Sequence, residues 1–421
     1  MRIGYVLLDG CADRGNPGLN FATPLEAAST PNLDRLARVS KLGRVITVKK
    51  GIAPESDIAV FNMLGYSFED GYPGRGVIEA IGSGLDMREG DLALRANFAS
   101  SRGRRIIDRR AGRDLTDEES ECLAEELNGI KLRNAQVEFR STLSYRGVLV
   151  IRADRPLSSL VTNTDPAYSR VGGFGAAKFT SNHENILFSR AEAHTIGARR
   201  AAELVNEFTS KSIDVLSKSK VNEERARAGK LPANCVLLRD AGDNVPSITP
   251  FSERHGMRGV ALVEMPAEVG IAKLLGMKMV KVADRYDVKE KAALFTRELS
   301  EGTVVYVHIK GPDEFGHDGD PYGKKRVIET IDRDFFSAVA DKTGSAKVGV
   351  SCDHATPCTM KMHASDEVPL LVSTDSKGDG MRFTERGGTK GTLGTILGRS
   401  VLSLISNDRR VEVSGKIDTK A

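Results

Sequence analysis

The stretch that most constrains this sequence is residues 350–363, Val-Ser-Cys-Asp-His-Ala-Thr-Pro-Cys-Thr-Met-Lys-Met-His. An apolar run from Val348 to Ser351 predicts a β-strand, with Asp353 and His354 at its end. His363 follows nine residues after His354. A carboxylate beside an imidazole at the end of a strand is typical of a metal site, although for one Asp-His pair alone a turn with capped backbone groups is the alternative.

Two further strands lead into the same kinds of side chain. The run Ile3–Leu8 is continuously apolar, as in a parallel sheet buried on both faces, and Asp9 follows it. The β-branched run Thr303–Lys310 leads into Asp313 and His317, which would share one face of a helical turn. Because the carboxyl ends of parallel strands form one edge of a sheet, these side chains are predicted to meet.

Ser56 is the candidate nucleophile. The segment 51–65 begins with a turn containing Gly51 and Pro54 and continues with a helical pattern, so that Ser56 lies in the first turn of the helix. A hydroxyl there faces free backbone N–H groups and the positive end of the helix dipole, which favours an alkoxide or a phosphate. An ordinary helix cap is the alternative for a Ser-Asp pair at this position.

Three carboxylates and three imidazoles are enough to hold two divalent ions with open positions. The six residues are Asp9, Asp313, Asp353, His317, His354 and His363. Carboxylate and imidazole ligands without thiolate favour Mn²⁺ or Zn²⁺, and they suit Mg²⁺ less well because it prefers oxygen ligands. Two such ions about 3.5–4 Å apart would stabilise the entering and leaving oxygens of a phosphoryl transfer. A serine bound to one of them would be the nucleophile.

The length of the chain predicts two domains. At 421 residues it exceeds what one compact core usually holds. The α/β pattern is interrupted between about residues 76 and 249, where apolar runs are shorter and arginines are more frequent. We therefore expect an α/β domain formed by residues 1–75 and 250–421, with a smaller domain, 76–249, inserted into it. The glycine-flanked segment 74–84 is predicted to be a hinge.

Charge and cysteine content exclude several classes of protein. Lys and Arg number 61 against 57 Asp and Glu, a balance that indicates neither a nucleic-acid-binding nor a membrane-binding surface. The N-terminal apolar run is too short to span a membrane and lacks a signal-peptide cleavage pattern. The five cysteines show no C-x-x-C spacing, which favours reduced thiols in a cytoplasmic protein.

Arginines of the predicted insert are candidates for binding an anionic substrate. Arg95, Arg146 and Arg152 lie in strand-like segments, and Arg239 lies at the end of another. The segment 102–113 contains six arginines in twelve residues. Guanidinium groups bind carboxylates and phosphates through paired hydrogen bonds. Two alternatives stay open, namely surface salt bridges and RNA binding by the arginine-rich segment, although no aromatic residues for base stacking flank it.

Seven short motifs spread over nearly the whole chain are together highly specific. They are Leu-Asp-Gly at 8–10, Thr-Pro-Leu-Glu-Ala-Ala-x-Thr-Pro-Asn at 23–32, Pro-x-Ser-Asp at 54–57, Gly-Arg-Gly-x-Ile-Glu-Ala at 74–80, Arg-Ala-Asn-Phe-Ala at 95–99, Asp-x-x-x-His-Asp-Gly-Asp at 313–320 and Asp-His-x-Thr-Pro-Cys at 353–358. In these motifs the chain resembles the archaeal-type 2,3-bisphosphoglycerate-independent phosphoglycerate mutases of the alkaline phosphatase superfamily.

The resemblance implies an alkaline-phosphatase-like doubly wound sheet with an inserted smaller α/β (α+β) domain. It also implies interconversion of 3-phosphoglycerate and 2-phosphoglycerate, a step of glycolysis and gluconeogenesis, without 2,3-bisphosphoglycerate as cofactor. A metal-dependent phosphatase or another phosphomutase of the same superfamily is the alternative. The expected partner is the small phosphoglycerate substrate, with no nucleic acid and no membrane, and a homo-oligomer is compatible with the sequence.

Residue roles follow from the same resemblance. A phosphoserine intermediate would form on Ser56, with Lys310 beside the transferring phosphoryl group. Mn²⁺ is the favoured metal, with Zn²⁺ and Mg²⁺ as alternatives. One ion would be held by Asp9, Ser56, Asp353 and His354, and the other by Asp313, His317 and His363. The substrate would contact Arg95, Arg146, Arg152 and Arg239.

Four positions or segments depart from the family pattern, among them residues 282–288, which do not match a Thr-Gly-rich loop, and residues 239–242, which vary the pattern Arg-Gly-x-Gly. Glu55 stands where the family usually has glycine before the serine, and it adds negative charge near the incoming phosphate. Ala167 replaces a histidine that commonly follows Asp-Pro, which removes one substrate contact. The metal and serine positions are unchanged, so the resemblance implies retained phosphoryl chemistry.

Overall fold

The computed structural model describes residues 1–171, 174–177, 185–340 and 346–406. The chain forms two compact units. The first unit comprises Met1–Tyr72, Ile248–Met265 and the chain from Ala272 onward, and the second comprises Pro73–Ser247 with Pro266–Ile271. The sequence pattern did not indicate that residues 266–271 group with the second unit.

The β-strands are numbered in chain order. They are β1 (Arg2–Leu8), β2 (Ser40–Ile46), β3 (Leu92–Arg102), β4 (Arg105–Asp108), β5 (Ala135–Leu143), β6 (Arg146–Ala153), β7 (Tyr168–Val171), β8 (Phe174–Ala177), β9 (Cys235–Gly242), β10 (Arg258–Val263), β11 (Lys278–Lys281), β12 (Thr303–Ile309), β13 (Lys347–Cys352), β14 (Val368–Ser373) and β15 (Thr395–Leu397).

The α-helices are numbered in the same way. They are α1 (Pro24–Ala27), α2 (Pro31–Arg38), α3 (Ser56–Met63), α4 (Arg75–Gly82), α5 (Asp117–Asn128), α6 (Ile196–Leu216), α7 (Lys220–Arg227), α8 (Phe251–His255), α9 (Pro266–Leu274), α10 (Val288–Glu298), α11 (Pro312–Asp318), α12 (Pro321–Ile331), α13 (Ser337–Val339), α14 (Glu385–Lys390) and α15 (Val401–Ile405).

The first unit is built on one eight-stranded sheet with the order β11-β10-β12-β1-β13-β14-β2-β15. The strands from β11 to β13 in that order are parallel, and β14 is antiparallel to both of its neighbours. Successive residues of β1 and β12 are buried, so both faces of the sheet are covered, as in a doubly wound α/β fold. The predicted fold class is confirmed for this unit.

The register of the three central strands determines where their following residues lie. Leu8 of β1 lies opposite Ile309 of β12 and opposite Cys352 of β13. The three parallel strands therefore end at the same level. Residues that follow them project from one edge of the sheet, which is where α/β sheets bind ligands.

The second unit is an antiparallel sheet packed with helices, which agrees with the α+β insert expected from the sequence. Its central strand β3 pairs with β4, β6 and β9, and β6 also pairs with β5. Phe139 lies in its core with ring centroids 5.4 Å from Phe98 and 6.3 Å from Phe208. Phe208 belongs to α6, so this helix packs on the sheet.

Most of the segment 74–84, for which a hinge was predicted, is helix α4. A Cβ atom at Gly76 would lie 2.5 Å from the carbonyl oxygens of Ala93 and Asp240. The glycine therefore lets α4 approach the backbones of β3 and β9 closely. The role of the segment as a hinge stays a prediction.

No helix in the described part of the chain is long and apolar enough to cross a membrane. All five cysteines are free thiols, and Cys122 alone among them is exposed. The predicted absence of disulfides thus agrees with the structure.

Candidate metal centre

Three parallel strands deliver polar side chains to one edge of the sheet in the first unit. Asp9 follows β1, Lys310 follows β12 and Asp353 follows β13. Asp313 lies three residues beyond Lys310, in the first turn of α11. The structure thus brings together the carboxylates that the sequence placed at this edge.

The first ligand group consists of Asp9, Asp353, His354 and Ser56. His354 Nε2 lies 3.6 Å from Asp9 Oδ1 and 3.3 Å from Asp353 Oδ2. Ser56, the first residue of α3, places its Oγ 3.1 Å from the same nitrogen. Asp9 Oδ1 and Asp353 Oδ2 are buried and accept no hydrogen bond from a described residue. Two buried carboxylate oxygens without donors are costly, so this group fits a cation.

The second ligand group consists of Asp313, His317 and His363. His317 lies one turn after Asp313 on α11, with Nε2 3.5 Å from Asp313 Oδ2. His363 Nε2 lies 3.6 Å from Asp313 Oδ1. The ligand atoms of the three residues all lie within 4.8 Å of one another. This carboxylate with two imidazoles is a suitable site for one divalent ion.

The outer ring nitrogens of two predicted ligands are held by backbone carbonyls. His363 Nδ1 lies 2.8 Å from the carbonyl oxygen of Pro54, and His317 Nδ1 lies 3.1 Å from that of Lys361. A carbonyl oxygen only accepts, so each Nδ1 carries the proton and donates it. Each Nε2 therefore keeps its lone pair for a metal ion, as is usual for ligating histidines.

Thr356 connects the two ligand groups. Its hydroxyl donates to Asp313 Oδ1 at 2.6 Å, so its oxygen accepts from His354 Nδ1 at 3.0 Å. Thr356 is fully buried, which shields these bonds from water. The ring of His354 in the first group is therefore oriented by a carboxylate of the second. The sequence analysis assigned no role to Thr356.

The carboxylates of Asp353 and Asp313 are ionised at neutral pH. Burial raises the pKa of Asp353, but the nearby His354 and His308 outweigh it and hold this pKa well below its usual range. Burial likewise opposes ionisation of Asp313, yet its three neighbouring histidines lower its pKa to about 2. Metal ligands must be deprotonated, so both carboxylates are in the binding form.

A buried ion pair anchors the loops that carry the ligands. Lys324 of α12 is fully buried, and its Nζ lies 2.8 Å from Asp13 Oδ2. The same ammonium donates to the carbonyl oxygens of Thr356 at 2.9 Å and Ala12 at 3.4 Å. Asp13 also accepts from the backbone N–H of Cys358 at 3.1 Å. These bonds join the loop after β1 to the loop after β13.

His308 is a polar residue of the site that the sequence analysis missed. It lies in β12, is 1% exposed, and places Nε2 3.3 Å from Asp353 Oδ2 and 3.7 Å from Asp9 Oδ1. Burial and Lys310 lower the pKa of His308, but the two carboxylates outweigh them and raise it to about 9. The available signal was a histidine within an otherwise apolar strand that ends at the predicted site.

Lys310 lies at the first ligand group, as the resemblance implies. Its Nζ is 3.3 Å from Asp9 Oδ2 and 3.0 Å from His308 Nδ1. The Lys310 side chain is only 14% exposed. A cation at this position can stabilise negative charge that develops near Asp9.

Two of the predicted substrate arginines are neighbours in the second unit. Arg95 of β3 pairs with Arg239 of β9, and both are buried. Arg95 Nε lies 3.0 Å from Glu79 and its Nη1 lies 3.1 Å from Asp240. Arg239 Nη1 lies 3.4 Å from Asp165, whose carboxylate is fully buried. The two guanidinium groups are therefore held in place by acidic partners.

Arg109 belongs to the same cluster, although the sequence analysis placed it only within the arginine-rich segment. Its Nη2 lies 2.6 Å from Asp165 Oδ2, so Arg109 and Arg239 share one carboxylate. The Tyr168 ring lies against both, with its centroid 5.4 Å from the Arg109 guanidinium carbon and 4.4 Å from that of Arg239. Arg239 Nε also lies 3.5 Å from Asp240 Oδ2, so the cluster alternates guanidinium and carboxylate groups. Guanidinium N–H groups that these carboxylates do not use can bind an anionic ligand.

The structure separates Arg152 from the other predicted substrate arginines. Arg146 begins β6 and lies opposite Asn97, close to Arg95 along the sheet. Arg152 lies near the other end of β6, about 13 Å along the strand from the residue opposite Arg95. Its Nη2 forms an ion pair with Asp91 at 2.8 Å. The structure thus groups Arg146, but not Arg152, with Arg95 and Arg239.

Sequence comparisons agree with the geometry. Residues 37–222 match the profile of a family described as 2,3-bisphosphoglycerate-independent phosphoglycerate mutase. A protein of that name from Aeropyrum pernix is 43% identical, covering 94% of this chain and 97% of its own length. Another of that name from Methanopyrus kandleri is 37% identical, covering 96% of this chain and 95% of its own length.

Solved structures share the fold over nearly the whole chain. The PH0037 protein from Pyrococcus horikoshii matches with a TM-score of 0.76 and 28% identity, over 99% of both chains. The cofactor-independent phosphoglycerate mutase from Thermoplasma acidophilum matches with a TM-score of 0.62 and 30% identity, over 97% of this chain and 99% of the other. Fold and site define an α/β enzyme with an inserted domain. The chain belongs to the family of 2,3-bisphosphoglycerate-independent phosphoglycerate mutases, which confirms the resemblance seen in its motifs.

Proposed function

We propose that this protein interconverts 3-phosphoglycerate and 2-phosphoglycerate through a phosphoserine on Ser56, without 2,3-bisphosphoglycerate. Membership of the family supports the reaction. The observation that carries the proposal is the 3.1 Å contact of Ser56 Oγ with His354 Nε2, which brings a hydroxyl into the first ligand group. Ser56 also begins α3, where the helix dipole favours negative charge on its oxygen.

Two divalent ions would occupy the two ligand groups. Asp9, Ser56, Asp353 and His354 would hold one ion, and Asp313, His317 and His363 the other. Carboxylate and imidazole donors without thiolate favour Mn²⁺, with Zn²⁺ and Mg²⁺ as alternatives. When bound, the ions would supply Lewis-acid stabilisation of the phosphoryl oxygens and of the serine alkoxide.

In the proposed reaction the phosphoryl group is transferred in two successive displacements. In the first, Ser56 Oγ attacks phosphorus and loses its proton, while the bond from phosphorus to the glycerate oxygen breaks and that oxygen gains a proton. In the second, the other glycerate hydroxyl loses its proton and attacks the phosphoserine, the bond from phosphorus to Ser56 Oγ breaks, and Ser56 Oγ gains a proton. Lys310, a cation 3.3 Å from Asp9, would stabilise negative charge on the phosphoryl group during both steps. Water must be excluded while the phosphoserine exists, since its hydrolysis would give a phosphatase.

The arginine cluster of the second unit would bind the carboxylate and phosphate of the substrate. Arg95, Arg146 and Arg239 retain the role predicted from the sequence, and Arg109 joins them because it shares Asp165 with Arg239. Acidic partners fix the guanidinium groups, which lowers the entropy lost when an anion binds. For Arg152 we propose a structural role through Asp91.

The proposal is tested by incubating the purified protein with Mn²⁺ and 3-phosphoglycerate and following the products by phosphorus NMR. We expect 2-phosphoglycerate to form without added 2,3-bisphosphoglycerate. Free phosphate without 2-phosphoglycerate would instead identify a phosphatase. Ser56→Ala should abolish turnover, whereas Ser337→Ala, an exposed helical serine, should not change it.

A further inference from the structure

We propose that His308 is a further ligand of the ion assigned above to Asp9, Ser56, Asp353 and His354. This inference rests on the proposed two-ion function. His308 lies in β12, directly beside the strand that leads to Asp9, and its ring is almost fully buried. The ion would then have two imidazole donors instead of one.

The distances place His308 and His354 in equivalent positions relative to the two carboxylates. His308 Nε2 lies 3.3 Å from Asp353 Oδ2 and 3.7 Å from Asp9 Oδ1. His354 Nε2 lies 3.3 Å and 3.6 Å from the same two oxygens. Donors that share one ion at bond lengths of about 2.0–2.2 Å stand no more than about 4.4 Å apart, whatever the coordination geometry. The distances to Asp9 and Asp353 that make His354 a candidate ligand therefore make His308 one as well.

The two carboxylate oxygens provide independent support for an ion between these rings. Asp9 Oδ1 and Asp353 Oδ2 are both buried, and no described residue donates a hydrogen bond to either. Asp9, His308 and Asp353 also offer ligand atoms that all lie within 4.8 Å of one another. A cation bound by these three residues would neutralise both oxygens more fully than the Nε2 side of the His308 ring, which faces Asp353 Oδ2 at 3.3 Å.

Ligation by His308 has a consequence for Lys310. Lys310 Nζ lies 3.0 Å from His308 Nδ1, and an ammonium only donates, so the proton of a neutral ring is on Nε2. Ligation requires the Nε2 lone pair, so a ligating ring carries its one proton on Nδ1 and cannot accept a hydrogen bond there. Lys310 then loses its acceptor on His308 and keeps its contact with Asp9 Oδ2, at 3.3 Å. Ion binding thus releases Lys310 from the ring.

Loading the full-length protein with Co²⁺ tests the proposal by counting ligated imidazoles. A histidine bound through Nε2 keeps an exchangeable N–H at Nδ1, and the paramagnetic ion shifts this proton far outside the ordinary proton NMR range. We expect four such resonances, from His308, His317, His354 and His363. Three resonances with two Co²⁺ bound per chain would overturn the role of His308 and leave the two-ion site intact. Failure to bind two Co²⁺ would overturn both.

Variants assign the additional resonance. His308→Gln should remove one resonance and weaken one of the two Co²⁺ affinities at least about 10-fold in calorimetric titration, with the other unchanged. His255→Gln is the matched control, because His255 contacts the carbonyl oxygen of Leu64 and belongs to neither ligand group. It should change neither the resonances nor the affinities. Retention of all four resonances in His308→Gln would contradict the proposal.

Discussion

Ser56 Oγ lies 3.1 Å from His354 Nε2, although 298 positions separate the two residues in the sequence. The contact joins the start of α3 to the loop after β13. The position of the His354 ring in this contact depends on Thr356 on the other side of the ring. The Thr356 hydroxyl lies 3.0 Å from His354 Nδ1. The Ser56 hydroxyl, the proposed nucleophile, is therefore positioned through His354 by Thr356.

Thr356→Val should weaken Mn²⁺ binding by about 10- to 100-fold, because the substitution removes the hydroxyl that orients both His354 and Asp313 while it preserves side-chain shape. Isothermal titration calorimetry measures the affinities. Thr389→Val is a suitable control, since the Thr389 hydroxyl is exposed and bonds only a helix carbonyl. Equal affinities in the two variants would contradict the bridging role of Thr356.

Gly10→Ala should reduce Mn²⁺ affinity sharply. Gly10 has a φ of +54°, and a Cβ there would lie 2.5 Å from Asp313 Oδ1 and 2.6 Å from Thr356 Oγ1. The added methyl group therefore displaces a ligand in addition to its backbone strain. Gly229→Ala, with a φ of +71° and open space around it, should cost only about 1 kcal/mol of stability and leave metal binding unchanged. If Gly10→Ala binds Mn²⁺ as tightly as the unchanged protein does, the loop after β1 adapts to the added methyl group.

Lys324→Met should lower the free energy of unfolding by roughly 3–5 kcal/mol, because it leaves the Asp13 carboxylate buried without its cation. Urea denaturation measures the change. Lys325→Met, next in sequence, breaks a partly exposed pair with Glu329 and should cost less than about 1 kcal/mol. The double variant Lys324→Met, Asp13→Asn should recover part of the loss. If it is no more stable than Lys324→Met, the unpaired charge is not the cause.

Glu385→Gln should become more stable relative to the unchanged protein as the pH rises from about 5 to about 8. Glu385 accepts from the backbone N–H of Asp13 and from Thr23 Oγ1, and burial raises its pKa from 4.5 to about 7. The folded protein favours the protonated carboxyl, so this contribution is present below about pH 4.5 and is lost as the pH rises through about 7. The difference should not exceed about 3 kcal/mol, given the partial exposure of the group.

Thermal unfolding across this pH range measures the effect of Glu385→Gln. Glu329→Gln serves as the reference, because hydrogen bonds from the Ser29 backbone and Lys325 outweigh burial and lower the pKa of Glu329. The stability contribution of Glu329 is complete above its unfolded pKa, so the Glu329→Gln difference should be flat between about pH 5 and pH 8. A flat difference for Glu385→Gln would show that its carboxyl ionises normally in the folded protein.

The residues at the edge of the sheet were predictable from the sequence, because apolar runs show where strands end and which residues directly follow them. Asp9 and Asp353 follow their strands at once, so their convergence needed only the assumption of a parallel sheet. His308 was not recognised because it lies within such a run, where a buried ring is ordinarily part of the core. Its role appears only when the neighbouring strands supply Asp9 and Asp353.

The arginines show a second limit of sequence reasoning. Arg146 and Arg152 stand on the same strand and have the same chemistry, so nothing local distinguishes them. The antiparallel register with β3 places one near Arg95 and the other beside Asp91. Register is a long-range property that depends on which strands pair. The helix α4 was missed for a related reason, because the glycine that permits its close packing is locally indistinguishable from a flexible one.

The chain order of the ligands has a consequence for synthesis. Asp9 and Ser56 leave the ribosome early, whereas β13 and the turn with His363 emerge only after most of the polypeptide has been made. A nascent chain therefore carries isolated acidic residues without their imidazole partners for most of translation. The proposed set of ligands is complete only after this late segment has paired with β1, which was made at the start of synthesis.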